Sequence, residues 1–142
     1  MLTVKDGTLE NILSIHNAIL EMNRHQDIEQ LQTRLANKRF ISLVAELDNQ
    51  LVGYKLGFWL DNHNFYSWMG GVLPQFRKIN VAQSLLNEQE RRVINSGGTN
   101  IQVKSMNRFK GMLIFLLKND YQIVGYEAQK GKILFEKPLL NP

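Results

Sequence analysis

Residues 72–86 read Val-Leu-Pro-Gln-Phe-Arg-Lys-Ile-Asn-Val-Ala-Gln-Ser-Leu-Leu, a strand end running through a short loop into an amphipathic helix. Such a junction is suited to holding an anion. The first turn of a helix leaves its backbone N–H groups without intrahelical partners, and the aligned peptide dipoles place partial positive charge there. A phosphate group can therefore be bound largely by backbone. Arg77 and Lys78, just ahead of the helix start, add two full charges. Composition closes off other chemistries. Cysteine is absent, which removes disulfides, thiolate metal sites and covalent catalysis through a cysteine. His16 and His25 stand apart from Asp, Glu or His partners at ligand spacing, so no metal site is expected.

The elements that carry this junction can be read from periodicity. Residues 2–4 form a short strand candidate, closed by Asp6-Gly7. Thr8 then offers a helix N-cap, and Leu9, Ile12, Ile15 and Ile19 recur at helical spacing to about Met22. A second helix begins at Asp27, with Ile28, Leu31 and Leu35 on one face. Residues 40–47 read as a buried strand, and a polar turn at 48–50 leads into a second strand at 51–60. On that second strand Val52, Tyr54, Leu56 and Phe58 share a face by alternation. After the turn at 61–64, residues 65–72 form a third antiparallel strand, in which Gly70-Gly71 suggests a bulge or a close backbone approach.

The helix after Pro74 spans 80–95 and stops at Ser96-Gly97-Gly98. A short strand at 100–103 follows. Phe109, Met112, Leu113, Leu116 and Leu117 then fall at i, i+3, i+4, i+7 and i+8, which predicts a helix with one buried face. Residues 121–127 and 133–136 close the chain as a hairpin around Gln129-Lys130-Gly131-Lys132. This order predicts an α+β fold with one mixed, mostly antiparallel sheet and about four helices. The only crossover suited to parallel pairing joins 65–72 to 100–103.

A chain of 142 residues with 44% hydrophobic content supports one core, so a single domain over 1–142 is expected. No apolar run approaches the ~20 residues of a membrane span. The N-terminus lacks a charged stretch followed by an apolar one, so a soluble, cytoplasmic protein without a membrane partner is expected. The formal net charge of +4 raises the question of nucleic acid. The charges are mostly scattered, however, and no basic stretch is interleaved with stacking aromatics. No nucleic-acid partner is expected. A phosphorylated cofactor accounts for Arg77-Lys78, and Arg91-Arg92 reads as a solvated helix face.

Val72, Pro74, Arg77 and Ala82 fit the pattern Val-x-Pro-x-x-(Arg/Gln)-x-x-Gly-x-(Gly/Ala) followed by a helix, which resembles the acyl-CoA site of the GNAT N-acetyltransferases. Residues 43–54 are similar to that family's hairpin, in which a strand, a polar turn and Val-Gly lead into the next strand. Asn107 lies at a strand–helix junction where the family often has asparagine. Residues 118–125, Lys-Asn-Asp-Tyr-Gln-Ile-Val-Gly, resemble its Lys-x-Gly-Phe-x-x-x-Gly ending. Four matches in order, across nearly the whole chain, imply a GNAT-type acyl-CoA N-acyltransferase fold. The resemblance also implies residue roles. Backbone groups of Val72 and Leu73, at a bulge in the fourth strand, would pair with the pantetheine arm of acetyl-CoA as an added strand. One N–H there would point at the thioester oxygen. Backbone amides of Arg77, Lys78, Ile79, Asn80, Val81 and Ala82 would surround the pyrophosphate, and Asn107 would contact the pantetheine from the other side. Asn80 replaces the family's central glycine and is among the few residues that tolerate positive φ. Lys78 also stands where glycine is frequent. Where many members place a tyrosine general acid on the last helix, this chain has Leu116.

Acetyl transfer from a thioester to a primary amine needs a neutral amine, a stabilised oxyanion and a proton for the departing thiolate. An amine of pKa ~10.4 costs roughly 4–5 kcal/mol to deprotonate at neutral pH without help, so a general base or prebound water is valuable. The family commonly takes its base from a fourth-strand carboxylate, yet no acidic residue occurs between Asp61 and Glu88. Tyr66 and His63, on or beside that strand, and Glu46, at the end of a neighbouring one, are the candidates, acting directly or through water. Their structural readings are a sheet-face aromatic for Tyr66 and a solvated turn residue for His63. Trp59 and Trp68 read as packing residues. The function expected is N-acetyltransfer from acetyl-CoA to a small-molecule or peptide amine, directly, in a ternary complex. The alternative is a GNAT-like module that holds acyl-CoA without transferring it. A homodimer is compatible with the sequence, which sets no oligomeric state.

Overall fold

Thr8 and Asp27 each accept a hydrogen bond from the backbone N–H three residues on, at 3.0 and 2.9 Å, and the side chains of Asn11 and Gln30 bond back to the cap N–H. These reciprocal capping boxes start α1 (Leu9–His16) and α2 (Ile28–Leu35). The structure is a computed structural model that describes residues 1–19 and 25–139. The remaining elements are β1 (Leu2–Asp6), β2 (Phe40–Leu47), β3 (Gln50–Trp59), β4 (Asn64–Val72), α3 (Val81–Asn95), β5 (Asn100–Ser105), α4 (Lys110–Lys118), β6 (Gln122–Glu127) and β7 (Lys132–Pro138). Helix α1 ends at His16, short of the expected Met22. Asn17 closes it by exchanging two hydrogen bonds with the backbone of Gln26, at 2.9 and 3.1 Å. The expected continuation over 20–24 falls outside the described residues.

The seven strands form one sheet in the order β1-β2-β3-β4-β5-β7-β6, antiparallel except where β4 and β5 run parallel. This is the α+β arrangement and the crossover expected from the sequence. Helices α1 and α2 cover one face, packing Ile12, Ile15 and Leu31 against Tyr54, Leu56 and Phe58. Helix α3 covers the other with Val81 and Leu85 on Leu43, Ala45 and Val72, while Leu86 and Val93 join α4 and the β5–β7–β6 end.

Two bulges revise the sequence reading. Ala45 pairs with Gly53 but Glu46 pairs with Leu51, so Val52 is an extra residue on β3. The bulge turns Val52 into the α3 layer, away from Tyr54, Leu56 and Phe58. On β4, Met69 pairs with Leu56 and Ser67 with Gly57, which leaves Trp68 as the bulged residue rather than Gly70 or Gly71. Trp68 and Met69 consequently both face α1 and α2.

Helix α4 also departs from the expected single buried face. Leu116 is 1% exposed whereas Leu117 is 50% exposed, because the helix touches the sheet along a narrow line. Arg92 is more than a solvated residue. It pairs with Glu88 at 2.8 Å and with Asp6, fastening α3 to the end of β1. Hydrogen bonds from Arg91 and Arg92 hold the Glu88 carboxyl down at about 2.

Candidate functional site

The backbone of β4 sets the site. Leu73 N–H donates to the Val52 carbonyl at 2.9 Å. In an antiparallel ladder neighbouring residues alternate in direction, so the backbone groups of Val72 and Gly70 turn away from β3. On that outer side the pairing with β5 stops at Ser67 and Val103. Beyond the Trp68 bulge, β4 and β5 therefore splay and leave an edge from 68 to 72. The Val72 carbonyl points into this opening, where Arg77 Nε donates to it at 3.1 Å.

At the end of the edge, a turn at Pro74–Phe76 leads to the start of α3. Lys78 and Asn80 hold φ of 68° and 67°, the left-handed region. Left-handed residues of this kind build the turns in which successive backbone amides converge on an anion. The first helical bond of α3, from Ser84 N–H to the Asn80 carbonyl, is 3.0 Å long, so the amides of Val81, Ala82 and Gln83 precede the intrahelical ladder. A groove of about 270 Å³ lies here, lined by Val72, Arg77, Lys78, Asn80, Val81 and Ala82 together with Gln83 and Phe115.

Six of the nine residues assigned to the cofactor thus converge. Leu73, Ile79 and Asn107 do not line the groove. The Leu73 amide is committed to the sheet, Ile79 is 48% exposed, and Asn107 is exposed in the turn between β5 and α4. Gln83 and Asn119 were not anticipated from sequence. Their amides pair at 2.7 and 3.2 Å, joining the first turn of α3 to the end of α4.

The proposed bases are not brought together. His63 is exposed in the turn before β4, five residues from the bulge, roughly 16 Å at strand rise. Asp61 shapes that turn by accepting from His63 N–H and Asn64 N–H, both at 2.8 Å. Glu46 lies level with Leu51, five residues along β3 from Leu56, which flanks the bulge, and is paired with Lys5 at 3.0 Å. Only Tyr66 lies beside the bulge, edge-on to Phe58. Burial raises its phenol, opposed by Arg34 and assisted by Glu127, so at neutral pH it is a hydrogen-bond donor rather than a base. The structure instead brings a carboxylate from β6. Glu127 acts on Tyr66 and pairs at 3.3 Å with Lys104, whose ammonium is 5.9 Å from the Tyr66 ring. No local sequence signal marks Glu127, because its position depends on β7 entering between β5 and β6.

Lys55 was also missed. Gly53 would meet Val81 and Leu85 if it carried a Cβ, which fixes the α3-facing side of β3. Lys55 shares that side by alternation and is 9% exposed. Burial lowers its ammonium to about 8, with Glu90 on α3 acting in the opposite direction. Glu90 is itself occupied by Tyr121 Oη at 2.8 Å and Lys137 Nζ at 3.0 Å.

No protein-family model matches the chain. Solved structures do. Ard1 from Thermoplasma volcanium superposes with a TM-score of 0.81 at 15% identity, over 99% of both chains. PaiA N-acetyltransferase from Thermoplasma acidophilum, in complex with coenzyme A, gives 0.79 at 12% identity over 97% of this chain and 99% of that one. A GNAT family acetyltransferase from Elizabethkingia anophelis with acetyl-CoA bound gives 0.76 at 14% identity, over 97% and 98%. At these identities the likeness establishes the fold: the chain has the fold of the GNAT acetyltransferases.

Proposed function

We propose that residues 1–142 act as a single N-acetyltransferase domain, cytoplasmic, that moves an acetyl group from acetyl-CoA to a primary amine by direct transfer in a ternary complex. The observation that carries this reading is the continuity of the splayed β4 edge with the groove at the start of α3. An extended arm bearing amides can add to the edge as a strand while its phosphates meet the helix amides. Val72 and Gly70 offer the outward backbone groups for the arm, and Arg77, Lys78 and the amides of 80–83 suit a pyrophosphate. Arg77 would leave the Val72 carbonyl for the phosphates as the arm takes its place. The fold's relatives with coenzyme A or acetyl-CoA bound support the choice of ligand.

The acceptor would approach from the α1 and α2 face, where Trp68 and Tyr66 border the bulge. Glu127 is the carboxylate best placed to take the amine's proton, directly or through water, and Tyr66 to donate a hydrogen bond. A homodimer would bring together exposed apolar side chains of β6, such as Ile123 and Tyr126.

Isothermal titration with acetyl-CoA is the first test. Saturable binding is expected, and no heat at millimolar cofactor would end this reading. Thiol release over a panel of amines, amino acids and peptides then tests transfer, with no background from a chain that lacks cysteine. Glu127→Gln is expected to lower kcat by about a hundredfold or more with acetyl-CoA affinity unchanged. A second reading, a module that binds acyl-CoA without transferring it, is favoured by the burial of Leu116 at the position of the family's tyrosine. Release of thiol above the buffer rate with any amine excludes it.

A further inference from the structure

The center of β3 holds a lysine that neither the binding groove nor the acceptor face uses. Lys55 pairs across the sheet with Gly70, one of the two residues whose backbone groups turn toward the splayed edge. Because residue 70 has no side chain, the lysine folds over it: Lys55 Nζ lies 3.6 Å from the point where a Gly70 Cβ would stand. Among the described residues no carboxylate forms an ion pair with Lys55. Its charged surroundings are Glu90 of α3, and behind it Lys137 of β7 and Tyr121, both of which Glu90 already binds. An ammonium so placed is held against the open edge of β4 without a counter-ion of its own.

The arm between the pyrophosphate and the sulfur of coenzyme A is about as long as four residues of extended chain, ~13 Å. Laid along the edge from Val72, which lines the groove, it ends level with residues 68–70. This step rests on the acetyl-CoA reading above. We infer that Lys55 is the proton donor to the departing thiolate. The acceptor's neutral nitrogen attacks the thioester carbonyl, forming the C–N bond. Collapse of the tetrahedral intermediate breaks the C–S bond, and its electron pair goes to sulfur. Sulfur then takes a proton from Lys55 Nζ, which is left neutral and regains a proton from solvent. The acceptor's own protons leave on the opposite face, through Glu127 or water.

The energetics favor this pairing. A lysine lowered to about 8 nearly matches a thiol near ~8.5, so transfer between them is close to thermoneutral. An unperturbed lysine, near ~10.4, would hold its proton about a hundredfold more tightly than such a thiolate does.

The absence of cysteine allows a direct test, because the thiol of bound coenzyme A is then the only thiol in the sample. With wild-type protein in excess, so that the reduced coenzyme A added is bound, thiolate absorbance followed between about pH 6 and 10 should show the bound thiol's pKa lowered by about one unit or more relative to free coenzyme A. In Lys55→Met, which keeps length and removes charge, most of that lowering should vanish while titration calorimetry still shows coenzyme A binding. A wild-type thiol that titrates as in free coenzyme A overturns the assignment of Lys55 even if Lys55→Met fails to fold. Equal lowering in both proteins also overturns it. In either case coenzyme A binding leaves the acetyl-CoA reading standing, whereas failure of the wild type to bind coenzyme A removes both.

Discussion

Lys78, Asn80 and Asp120 hold φ of 68°, 67° and 70° without being glycine. Each stands where the sequence pattern it resembles has, or often has, glycine. For Asn80 the conformation was legible, since asparagine is one of the few residues that enter the left-handed region readily. For Lys78 it was not, because nothing local distinguishes a strained lysine from a relaxed one. Asn80→Ala is expected to cost about 1 kcal/mol in chemical denaturation, and Asn80→Gly to be tolerated with acetyl-CoA affinity unchanged or improved. A loss of affinity on Asn80→Gly would show that the asparagine side chain itself serves the ligand. Lys55 makes a different prediction. Its folded value of about 8 lies below the unfolded 10.5, so the fold disfavours the cation. The penalty is absent above about 10.5, grows as pH falls, and is complete below about 8, where it amounts to about 3 kcal/mol. Lys55→Met should therefore be more stable than wild type at neutral pH by up to that amount, with the gain disappearing at high pH. Thermal unfolding of both proteins across this range measures it. Burial of Lys55 was hidden in the sequence because it follows from the pairing of β3 with β4, not from its neighbours in the chain.

At the scale of elements, alternation and capping located most strands and helices, because each depends on residues within a few positions. Thr8 with Asn11 and Asp27 with Gln30 are complete signals in themselves. The bulges at Val52 and Trp68 depend on register between strands, which no single segment encodes; Gly70-Gly71 do not form the β4 bulge, and what comes close at Gly70 is the Lys55 side chain. Helix α4 shows a similar limit: a clean helical repeat reports an apolar stripe, not how much of it finds a partner. Leu116 is nevertheless packed among Phe65, Ile101 and Tyr121. A tyrosine there would force extra atoms into a filled core. Leu116→Tyr is accordingly expected to destabilise by about 1–3 kcal/mol without raising the rate of thiol release. Faster release with unchanged stability would mean that α4 can shift to present residue 116 to the site.

Across the whole molecule, strand order decides what meets at the site. The crossover from β4 to β5 was legible as the one parallel connection, whereas the entry of β7 between β5 and β6 brings Glu127 to Tyr66 from far along the chain. The parallel pairing that stops at Ser67 and Val103 has a consequence for handling the protein as well as for its chemistry. An unpaired strand edge is a template for any other extended chain, including a second copy of the same one. If a cofactor arm is the natural occupant, protein stripped of it carries a sticky seam, guarded by the Arg77 guanidinium on the Val72 carbonyl and the inward charge of Lys55. Light scattering during concentration or mild heating should show apo protein aggregating earlier than protein saturated with acetyl-CoA, and Arg77→Ala apo protein earlier still. Identical onset in all three would mean the seam is already closed, whereas the expected order would make the coenzyme a solubilising companion whose supply sets how much of this protein a cell can keep in solution.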